Sequence, residues 1–283
     1  MRRLIKWLYA RLFDAPLPEP LPGDQEAADR LRADLNALPA PPGDGRLWND
    51  NRHRLRAQVA NEDPRGFLRW DVVARAMVVS PQLYILRELW PLLLDWPQWR
   101  PFVEDPPRGH PWPFPLLPRT SANTIHQAYH LHRFEKATGQ RLEEMEQIVE
   151  VGGGYGGLCR LVHRRGFRGR YIILDLPEFA ALQRYYLEAL GVAVVHNQEA
   201  TPDLKTALVA NWSLSEMTLV DREAVLAGCP ALSAALIAYQ ETFDDIDNVA
   251  FFREWSERSG LSCEGSAIEH LPHHHYLFGS KLR

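Results

Sequence analysis

A run of five glycines in six residues, GGGYGG at positions 152–157, constrains this chain more than any other stretch. It follows a short apolar segment, QIVEVG at 147–152, that predicts a buried strand, and it precedes a helical pattern over 157–165. Glycine adopts positive φ without strain and lets a ligand approach the backbone. The following helix offers free N–H groups to an anion or a carboxylate. The run therefore predicts a ligand-binding turn between a strand and a helix.

The alternation of strands and helices continues towards the end of the chain. Strands are predicted at 171–176, 192–197, 206–213 and 234–242, and helices at 177–190 and within 215–232. Two further strands, 266–271 and 276–281, flank a turn near Pro272. Strands that alternate with helices imply βαβ units and a parallel sheet, here ending in an antiparallel pair. The predicted fold class is α/β, a Rossmann-like sheet with helices on both faces.

The first part of the chain has a different composition. Residues 1–120 hold 18 of the 22 prolines and seven of the nine tryptophans. Because proline breaks helices and removes a ladder donor, we expect short helices joined by Pro-rich connectors. Helices are predicted at 24–38 and as a buried pair within 67–95 broken near Pro81, whereas 101–118 is too proline-dense for helix or sheet. The predicted division is a helical region, 1–120, and a ligand-binding domain, 121–283.

The glycine run fits two nucleotide-binding patterns. Gly152, Gly154 and Gly157 match GxGxxG, the dinucleotide fingerprint. Glu150 followed by alternating glycines matches an acidic-x-GxGxG pattern, in which the acid can accept a hydrogen bond from an amino group of the ligand. Asp175 ends the next predicted strand, where a carboxylate can accept both hydroxyls of a ribose. The run, its strand–helix setting and Asp175 together predict a nucleotide-like ligand.

Five stretches resemble one enzyme family. They are SANTIHQAYHLHRFE at 121–135, IVEVGGGYGGLCRLV at 148–162, YIILDLPEFAALQRYYL at 171–187, ANWSLSEM at 210–217 and HLPHHHYLFGSK at 270–281. The chain resembles the S-adenosylmethionine-dependent methyltransferases, in particular the bacterial sugar O-methyltransferases, over about residues 120–283. The resemblance implies a seven-stranded methyltransferase sheet with an antiparallel last strand. The acid before the glycines favours this family over proteins that bind NAD.

The resemblance also assigns cofactor contacts. It implies that the methionine end of S-adenosylmethionine contacts Glu150, Gly152, Gly153, Gly154 and Gly156. Asp175 is expected to bind the ribose, with Leu176 near the adenine and Asn197 facing the adenine amine. The segment Asn211, Trp212 and Ser213 is expected to border the sulfonium and the acceptor.

Transfer of a methyl group to a sugar hydroxyl needs a base, and acidic residues after the fourth and fifth strands are candidates. Glu216 is one, although Ser213 and Glu216 also fit a capping box at a helix start. Asp245 is another, within an acidic TFDDIDN loop that also contains Asp244 and Asp247. This loop is either solvated or, less favoured, a Mg²⁺ site, because Mg²⁺ prefers oxygen ligands.

Histidines supply the other candidates. His273 and His274 lie in a run near the turn of the final strand pair, where an imidazole can act as the base at neutral pH. A surface or interface role is equally open for them, and no zinc spacing accompanies the run, so no metal site is assigned. His126 and His130 are one turn apart on a predicted helix, capped by Ser121 and Asn123, that we expect to cover the cofactor or shape the acceptor pocket.

Composition excludes several classes. A net charge of −4 argues against nucleic-acid binding, and no apolar run reaches the roughly 20 residues of a membrane-spanning helix. Three cysteines without a CxxC motif indicate a reducing, cytoplasmic environment. Residues 1–13 form a basic amphipathic pattern that either contacts the inner membrane surface or docks on protein, including a second copy in a homo-oligomer. The tryptophans of the first part line a carbohydrate site or, as we favour, the core.

The sequence thus predicts an S-adenosylmethionine-dependent O-methyltransferase that acts on a sugar hydroxyl of a glycan, a polysaccharide or a glycosylated metabolite. Two alternatives use the same features. An NAD(P)-dependent oxidoreductase would bind its dinucleotide at the same glycine run. A non-catalytic scaffold would keep the fold without binding a cofactor.

Overall fold

The computed structural model describes residues 16–79, 82–229 and 232–281. The α-helices are α1 (Asp24–Ala37), α2 (Leu47–Asn61), α3 (Asp71–Ala76), α4 (Ile85–Leu94), α5 (Trp96–Trp99), α6 (Ala122–Thr138), α7 (Gly157–Arg164), α8 (Pro177–Glu188), α9 (Leu219–Ala227) and α10 (Asn248–Arg258). The strands are β1 (Pro113–Phe114), β2 (Leu117–Ser121), β3 (Gln147–Val151), β4 (Arg170–Leu174), β5 (Val195–His196), β6 (Thr206–Asn211), β7 (Leu232–Gln240), β8 (Thr242–Phe243), β9 (Ile246–Asp247), β10 (Ser262–Ala267) and β11 (His274–Ser280). Short 3-10 helices span Pro64–Arg69, Leu142–Glu144 and Ser213–Glu216.

Seven strands form one mixed sheet in the order β10-β11-β7-β6-β3-β4-β5. Strands β3 to β7 run parallel to one another, whereas β11 is antiparallel to both β7 and β10. This confirms the predicted fold class, including the seven strands and the antiparallel end. Strand β5 is shorter than the predicted 192–197, because backbone pairing joins it to β4 only at Val195 and His196.

The direction of strand order reverses between β3 and β6. From β3 the chain moves outward through β4 and β5, then returns to β6 on the other side of β3 and continues to β7. In parallel α/β sheets, the carboxyl ends of the strands at such a reversal form a crevice that binds ligands. The glycine run follows β3 and therefore lies at this crevice.

Side chains that alternate along the strands build two hydrophobic cores. On one face, residues such as Ile148, Ile173 and Val209 pack with α6, α7 and α8. On the other face, residues such as Val149 and Leu208 pack with α9 and α10. Helices therefore cover both faces, as predicted.

The N-terminal helices pack into the first of these two cores. Leu31 of α1, Leu55 of α2, Phe67 and Trp99 belong to the same cluster of buried side chains as Ile148 of the sheet. Trp70 and Trp99 are thus core residues, while Trp90 is exposed. The division of the chain at residue 120 remains a prediction from sequence.

Helix α6 connects the two parts of the chain. Ser121 caps it, because its Oγ accepts a hydrogen bond from the N–H of Thr124 at 3.2 Å. Asn123 does not cap the helix as predicted: it lies inside α6, where its Oδ1 accepts from the N–H of Val79 and its Nδ2 donates to the hydroxyl of Tyr155. The amide thus joins the segment after α3 to the glycine run.

Two other expectations for the first part were wrong. Residues 101–118 were predicted to form neither helix nor sheet, but β1 and β2 pair as a short antiparallel hairpin. The apolar residues Leu83 and Leu86 were assigned to buried helices, but Leu83 is 85% exposed and Leu86 42%. Helix α4 is apolar on two sides, so its sequence alone does not show which side faces the core.

The basic amphipathic pattern of residues 1–13 and the break at Pro81 lie outside the described residues. None of the helices in the described ranges combines the length and apolar character that a bilayer crossing needs.

A buried carboxylate links α2 to α8. Glu178 has a fully buried side chain and accepts hydrogen bonds from Arg52 at 2.7 Å and Arg56 at 2.6 Å. Burial raises the pKa of Glu178, but the two guanidinium groups outweigh burial and hold that pKa below its usual value. These two ion pairs therefore stabilise the contact between the N-terminal region and the sheet domain.

We expect Glu178→Gln to lower the free energy of unfolding by about 1.5–3 kcal/mol, because hydrogen bonds to a charged group are lost. The depressed pKa means that this stabilisation is present above the unfolded-state pKa near 4.5 and is lost as pH falls through the folded-state value. Urea unfolding at pH 7 and pH 3.5 measures both effects. Glu188→Gln, an exposed position at the end of the same helix, is the matched control and should change stability by less than about 0.5 kcal/mol. Equal stability of the two variants at pH 7 would contradict the assignment.

Candidate functional site

The glycine run forms a turn of three left-handed glycines between β3 and α7. Gly152, Gly154 and Gly156 have φ of 68°, 58° and 90°, a region that other L-residues rarely adopt. The N–H of Gly152 donates to the carbonyl of Leu174 at 2.8 Å, and Gly156 is the N-cap residue of α7. The turn is therefore anchored to β4 on one side and directs the N-terminus of α7 towards the crevice.

The first glycine also allows two loops to approach each other. A Cβ at Gly152 would overlap the Cβ of Ser213, the residue that follows Trp212 after β6. The hydroxyl of Ser213 donates to the carbonyl of Val151 at the end of β3. The predicted cofactor residues Gly152 and Ser213 are therefore in contact, as the crevice between β3 and β6 requires.

Asp175 follows β4 and faces the glycine run. Its Oδ2 accepts from Nε2 of Gln183 at 2.6 Å, and the same Nε2 lies 2.9 Å from the carbonyl of Gly154. Burial raises the pKa of Asp175 to about 7, against the lowering effect of hydrogen bonds from Leu176, Gln183 and Gly153. Each carboxylate oxygen accepts up to two hydrogen bonds, so the carboxylate retains capacity for a ligand.

The predicted adenine contacts lie beside Asp175. Leu176 is half-buried and is the N-cap residue of α8. Asn197 follows β5 with φ of 51°, and its Oδ1 accepts from the N–H of Asp175 at 2.9 Å. The structure thus brings Asp175, Leu176 and Asn197 together at the ends of neighbouring strands.

Glu150 is buried in the middle of the sheet. Its Oε2 accepts a hydrogen bond from the hydroxyl of Tyr171 at 2.9 Å. Burial raises the pKa of Glu150 to about 7, the charge of Asp175 adds to this, and the bond from Tyr171 opposes it. The predicted contact of Glu150 with an amino group of the ligand remains a prediction.

The end of β6 presents an unpaired polar atom. Oδ1 of Asn211 is buried and has no hydrogen-bond partner among the described residues. Buried acceptors without partners are rare, because losing their hydration is costly. Trp212 follows with φ of 66°, and its N–H donates to the carbonyl of Ala238 at 2.6 Å. The free Oδ1 of Asn211 can therefore accept a hydrogen bond from a ligand at the end of β6.

Glu216, a predicted base, lies at the edge of this crevice. It accepts a hydrogen bond from Nε1 of Trp48 at 3.1 Å, and burial raises its pKa. The alternative capping box is wrong: residues Ser213–Glu216 form a 3-10 helix, and the hydroxyl of Ser213 is directed to Val151 rather than to a helix N–H. The tertiary contacts of Ser213 and Glu216 replace the local cap.

Asp245 and the neighbouring acids belong to the β8–β9 hairpin that follows β7. Asp245 is exposed in the tight turn between β8 and β9, next to Asp244 with φ of 48°. Asp247 caps α10 by accepting from the N–H of Ala250 at 3.0 Å. No group of three His, Cys, Asp or Glu side chains within 16–79, 82–229 and 232–281 is arranged to hold a metal ion.

The histidine run at the start of β11 divides between two partners. His273 is 80% exposed and, like His275, is bonded to Glu241, at 2.8 and 3.0 Å. Both imidazoles therefore share one carboxylate partner. His274 instead accepts at Nδ1 from Nε1 of Trp212 at 2.7 Å. A neutral imidazole has one donor and one acceptor nitrogen, so the lone pair of His274 is already used by Trp212.

The structure reveals a polar cluster that the sequence analysis did not assemble. Glu88 of α4 is fully buried, and its Oε1 lies 2.8 Å from Nδ1 of His126 and 2.7 Å from Nε2 of His270. Nε2 of His126 lies 3.0 Å from Nε2 of His130, whose Nδ1 lies 2.5 Å from the hydroxyl of Tyr276. We call these five residues the Glu88 cluster.

Electrostatic interactions within the Glu88 cluster favour the ionised form of Glu88. Burial raises the pKa of Glu88, but His126 and His270 outweigh burial and lower it below the usual value. Burial lowers the pKa of His130 well below 6.5, and the neighbouring histidines lower it further. The sequence did contain one indication of the cluster, a single acid in the otherwise largely apolar α4, but the partners lie 38 and 182 residues away.

The Glu88 cluster adjoins the crevice through Trp212. The ring of His126 stacks on Trp212 with a centroid distance of 5.5 Å and an interplanar angle of 15°. Two clefts of about 340 and 740 Å³ lie elsewhere, one between α1 and α8 and the other beside the end of α7. Neither cleft is lined by the glycine run, so the site is identified by the chemistry of its residues.

No protein-family model matches the chain, and no curated protein matches it. Several solved methyltransferase structures match about half of it. The methyltransferase domain of bacterial CtHen1 matches over 55% of this chain and 97% of that one, with 7% identity and a TM-score of 0.43. A SAM-dependent methyltransferase from Aquifex aeolicus matches over 54% of this chain and 88% of that one, with 14% identity and a TM-score of 0.39.

The O-methyltransferase NcsB1 of neocarzinostatin biosynthesis was solved with S-adenosylmethionine and 2-hydroxy-5-methyl naphthoic acid. It matches over 57% of this chain with 18% identity and a TM-score of 0.39, and the match spans 58% of its length. With TM-scores below 0.5, these matches carry no argument about activity. The fold class rests on the strand order of the sheet itself.

The contact between Gly152 and Ser213 gives a test of the site's construction. We expect Gly152→Ala to destabilise the protein by about 1–2 kcal/mol through positive φ and by about 1–3 kcal/mol more through overlap with Ser213. Gly191→Ala is the matched control, because Gly191 has a similar φ of 65° and open space around its Cα. Urea unfolding of both variants isolates the contact, and equal losses of stability would show that β3 and β6 do not approach as described.

Proposed function

We propose that this protein is an S-adenosylmethionine-dependent O-methyltransferase that transfers a methyl group to a sugar hydroxyl. The observation that carries the proposal is the glycine turn at the reversal of strand order, with an unpartnered buried acceptor, Oδ1 of Asn211, beside it. A nucleotide-like ligand with hydrogen-bond donors fits this arrangement. The acid at Glu150, ahead of the glycines, favours S-adenosylmethionine over a dinucleotide.

The residues that would hold the cofactor come from three strand ends. The turn at 152–156 offers backbone groups, Asp175 offers a carboxylate for the ribose, and Asn211 offers its free Oδ1. S-adenosylmethionine supplies a methyl group on a positively charged sulfur. The protein's own contribution is to bind the cofactor, orient the acceptor and remove the acceptor's proton.

The sugar acceptor rests on the resemblance of the sequence to bacterial sugar O-methyltransferases. The polar side chains around the crevice support a sugar acceptor, because they include groups that can act as a base. An alcohol is less acidic than a phenol, so its methylation depends more on such a base. An NAD(P)-dependent oxidoreductase remains the second candidate, since Gly152, Gly154 and Gly157 also fit the dinucleotide fingerprint.

The cofactor assignment predicts the behaviour of Asp175. Asp175→Asn should weaken the binding of S-adenosylhomocysteine by about 1–3 kcal/mol, because two hydroxyl donors lose a charged acceptor. The pKa of Asp175 is raised to about 7, so the wild-type protein should bind about tenfold more tightly at pH 8 than at pH 6 as the carboxylate ionises. Isothermal titration calorimetry at both pH values measures this.

Asp203→Asn is the matched control, because Asp203 is exposed in a turn with φ of 67° that asparagine also tolerates. In Asp175→Asn the pH dependence should shrink, and what remains is expected to belong to Glu150. Unchanged affinity of Asp175→Asn would remove Asp175 from the ribose site.

Methyl transfer tests the acceptor class. Incubation of the protein with S-adenosylmethionine and a panel of mono- and oligosaccharides should release S-adenosylhomocysteine only when an accepted sugar is present. Methylation of phenols or carboxylates, with none of any sugar, would contradict the sugar assignment and leave the methyltransferase assignment in place.

A further inference from the structure

The Glu88 cluster holds a carboxylate in an environment where an unpaired anion is costly. Glu88 lies on the buried side of α4 and receives hydrogen bonds from rings on two other elements, His126 on α6 and His270 in the turn before β11. A buried charge persists only when it is paired and hydrogen-bonded. The three residues therefore form one electrostatic unit rather than three independent core side chains.

Hydrogen bonding fixes the tautomer of each histidine in the cluster. An ionised carboxylate can only accept, so Nδ1 of His126 and Nε2 of His270 both carry protons. With one proton on each ring, the lone pair of His126 is on Nε2, where it receives the N–H of His130. The lone pair of His130 is on Nδ1, where it receives the hydroxyl of Tyr276.

His270 differs from the other two histidines of the cluster. Its proton is on Nε2, which faces Glu88 at 2.7 Å, so its lone pair is on Nδ1. No other member of the described cluster uses that lone pair. The ring is held by stacking on Tyr84 at 5.5 Å and by an edge contact with Tyr129 at 5.5 Å. His270 is thus an oriented imidazole: Nε2 faces the carboxylate of Glu88, and Nδ1 has no partner within the described cluster.

The cluster lies at the edge of the sheet that carries the glycine turn. Strand β11 starts opposite the carboxyl end of β7, where His274 pairs with Gln240, so the turn that contains His270 is at the carboxyl edge of the parallel strands. Trp212, which follows β6 at the same edge, contacts the rings of His126, His130 and His274. Trp212 therefore joins the end of β6 to the Glu88 cluster, at the edge of the sheet that also carries the glycine turn.

We propose that His270, oriented by Glu88, is the general base that removes the proton of the acceptor hydroxyl. This inference rests on the proposed function. The hydroxyl oxygen forms a bond to the methyl carbon as the carbon–sulfur bond breaks and its electron pair stays on sulfur. The hydroxyl proton passes to Nδ1 of His270, and the carboxylate of Glu88 stabilises the resulting imidazolium. The proton then leaves to solvent after product release.

The candidate bases named from sequence have settings that differ from that of His270. His274 has its lone pair engaged by Trp212, and His273 is exposed and bonded to Glu241. Asp245 is exposed in a turn, and Oε2 of Glu216 accepts a hydrogen bond from Nε1 of Trp48. Glu88 acts through His270 and is a positioning residue, whereas His270 is the group that meets the substrate.

The test compares His270→Gln with His275→Gln. His275 is a matched control, because it is close to His270 in the chain and is also bonded to a carboxylate, Glu241, but it lies outside the Glu88 cluster. His270→Gln should lower kcat for methyl transfer to an accepted sugar by about 10²–10⁴-fold, with its affinity for S-adenosylhomocysteine within about twofold of wild type. His275→Gln should stay within about threefold of wild type in both. Equal kcat values for His270→Gln and wild type would overturn the proposal.

A spectroscopic measurement on the wild-type protein tests the proposal even if a variant fails to fold. Nitrogen-15 NMR of wild-type protein labelled at histidine should show His270 as the Nε2–H tautomer, and Glu88→Gln should disturb this signature and lower kcat while leaving KM nearly unchanged. Glu88→Asp should recover part of the lost kcat. An Nδ1–H tautomer for His270 would overturn the inference alone, whereas failure of the wild-type protein to bind S-adenosylhomocysteine would overturn the proposed function and this inference with it.

Discussion

The close approach of the chain after β3 to the chain after β6 sets the geometry of the whole site. Gly152 has positive φ and no room for a Cβ, because Ser213 occupies that space. The bond from Ser213 to Val151 then holds the two strand ends together. The glycine turn lies on one side of this contact, and Asn211 and Trp212 lie on the other.

Four carboxyl groups of this protein, Glu88, Glu150, Asp175 and Glu178, fall into two electrostatic classes. Glu178 and Glu88 are paired with arginine or histidine, and their pKa values lie below the usual range. Glu150 and Asp175 have neutral hydrogen-bond donors instead, and burial raises their pKa values to about 7. The first class stabilises contacts within the fold. The second lies at the ends of β3 and β4, where perturbed carboxyl groups often mark a ligand site.

Much of the sheet could be predicted from sequence because its strands are short apolar runs separated by glycine, proline and helical patterns. The glycine turn and the position of Asp175 at a strand end were also recognisable, since both depend on the local sequence. The contacts that could not be predicted join residues far apart in the chain. Ser213 and Glu216 resemble a local cap until Val151 and Trp48 are in place, and Glu88 is unremarkable until α4, α6 and the β10–β11 turn meet.

Binding of S-adenosylhomocysteine to the wild-type protein tests the central claim most directly. Thermal unfolding would be followed with S-adenosylhomocysteine and with NADH in parallel. A ligand at about 100 times its dissociation constant adds about 2.7 kcal/mol to stability, which raises Tm by several degrees. The account predicts a rise with S-adenosylhomocysteine and none with NADH. A rise with NADH alone, or with neither ligand, would contradict it.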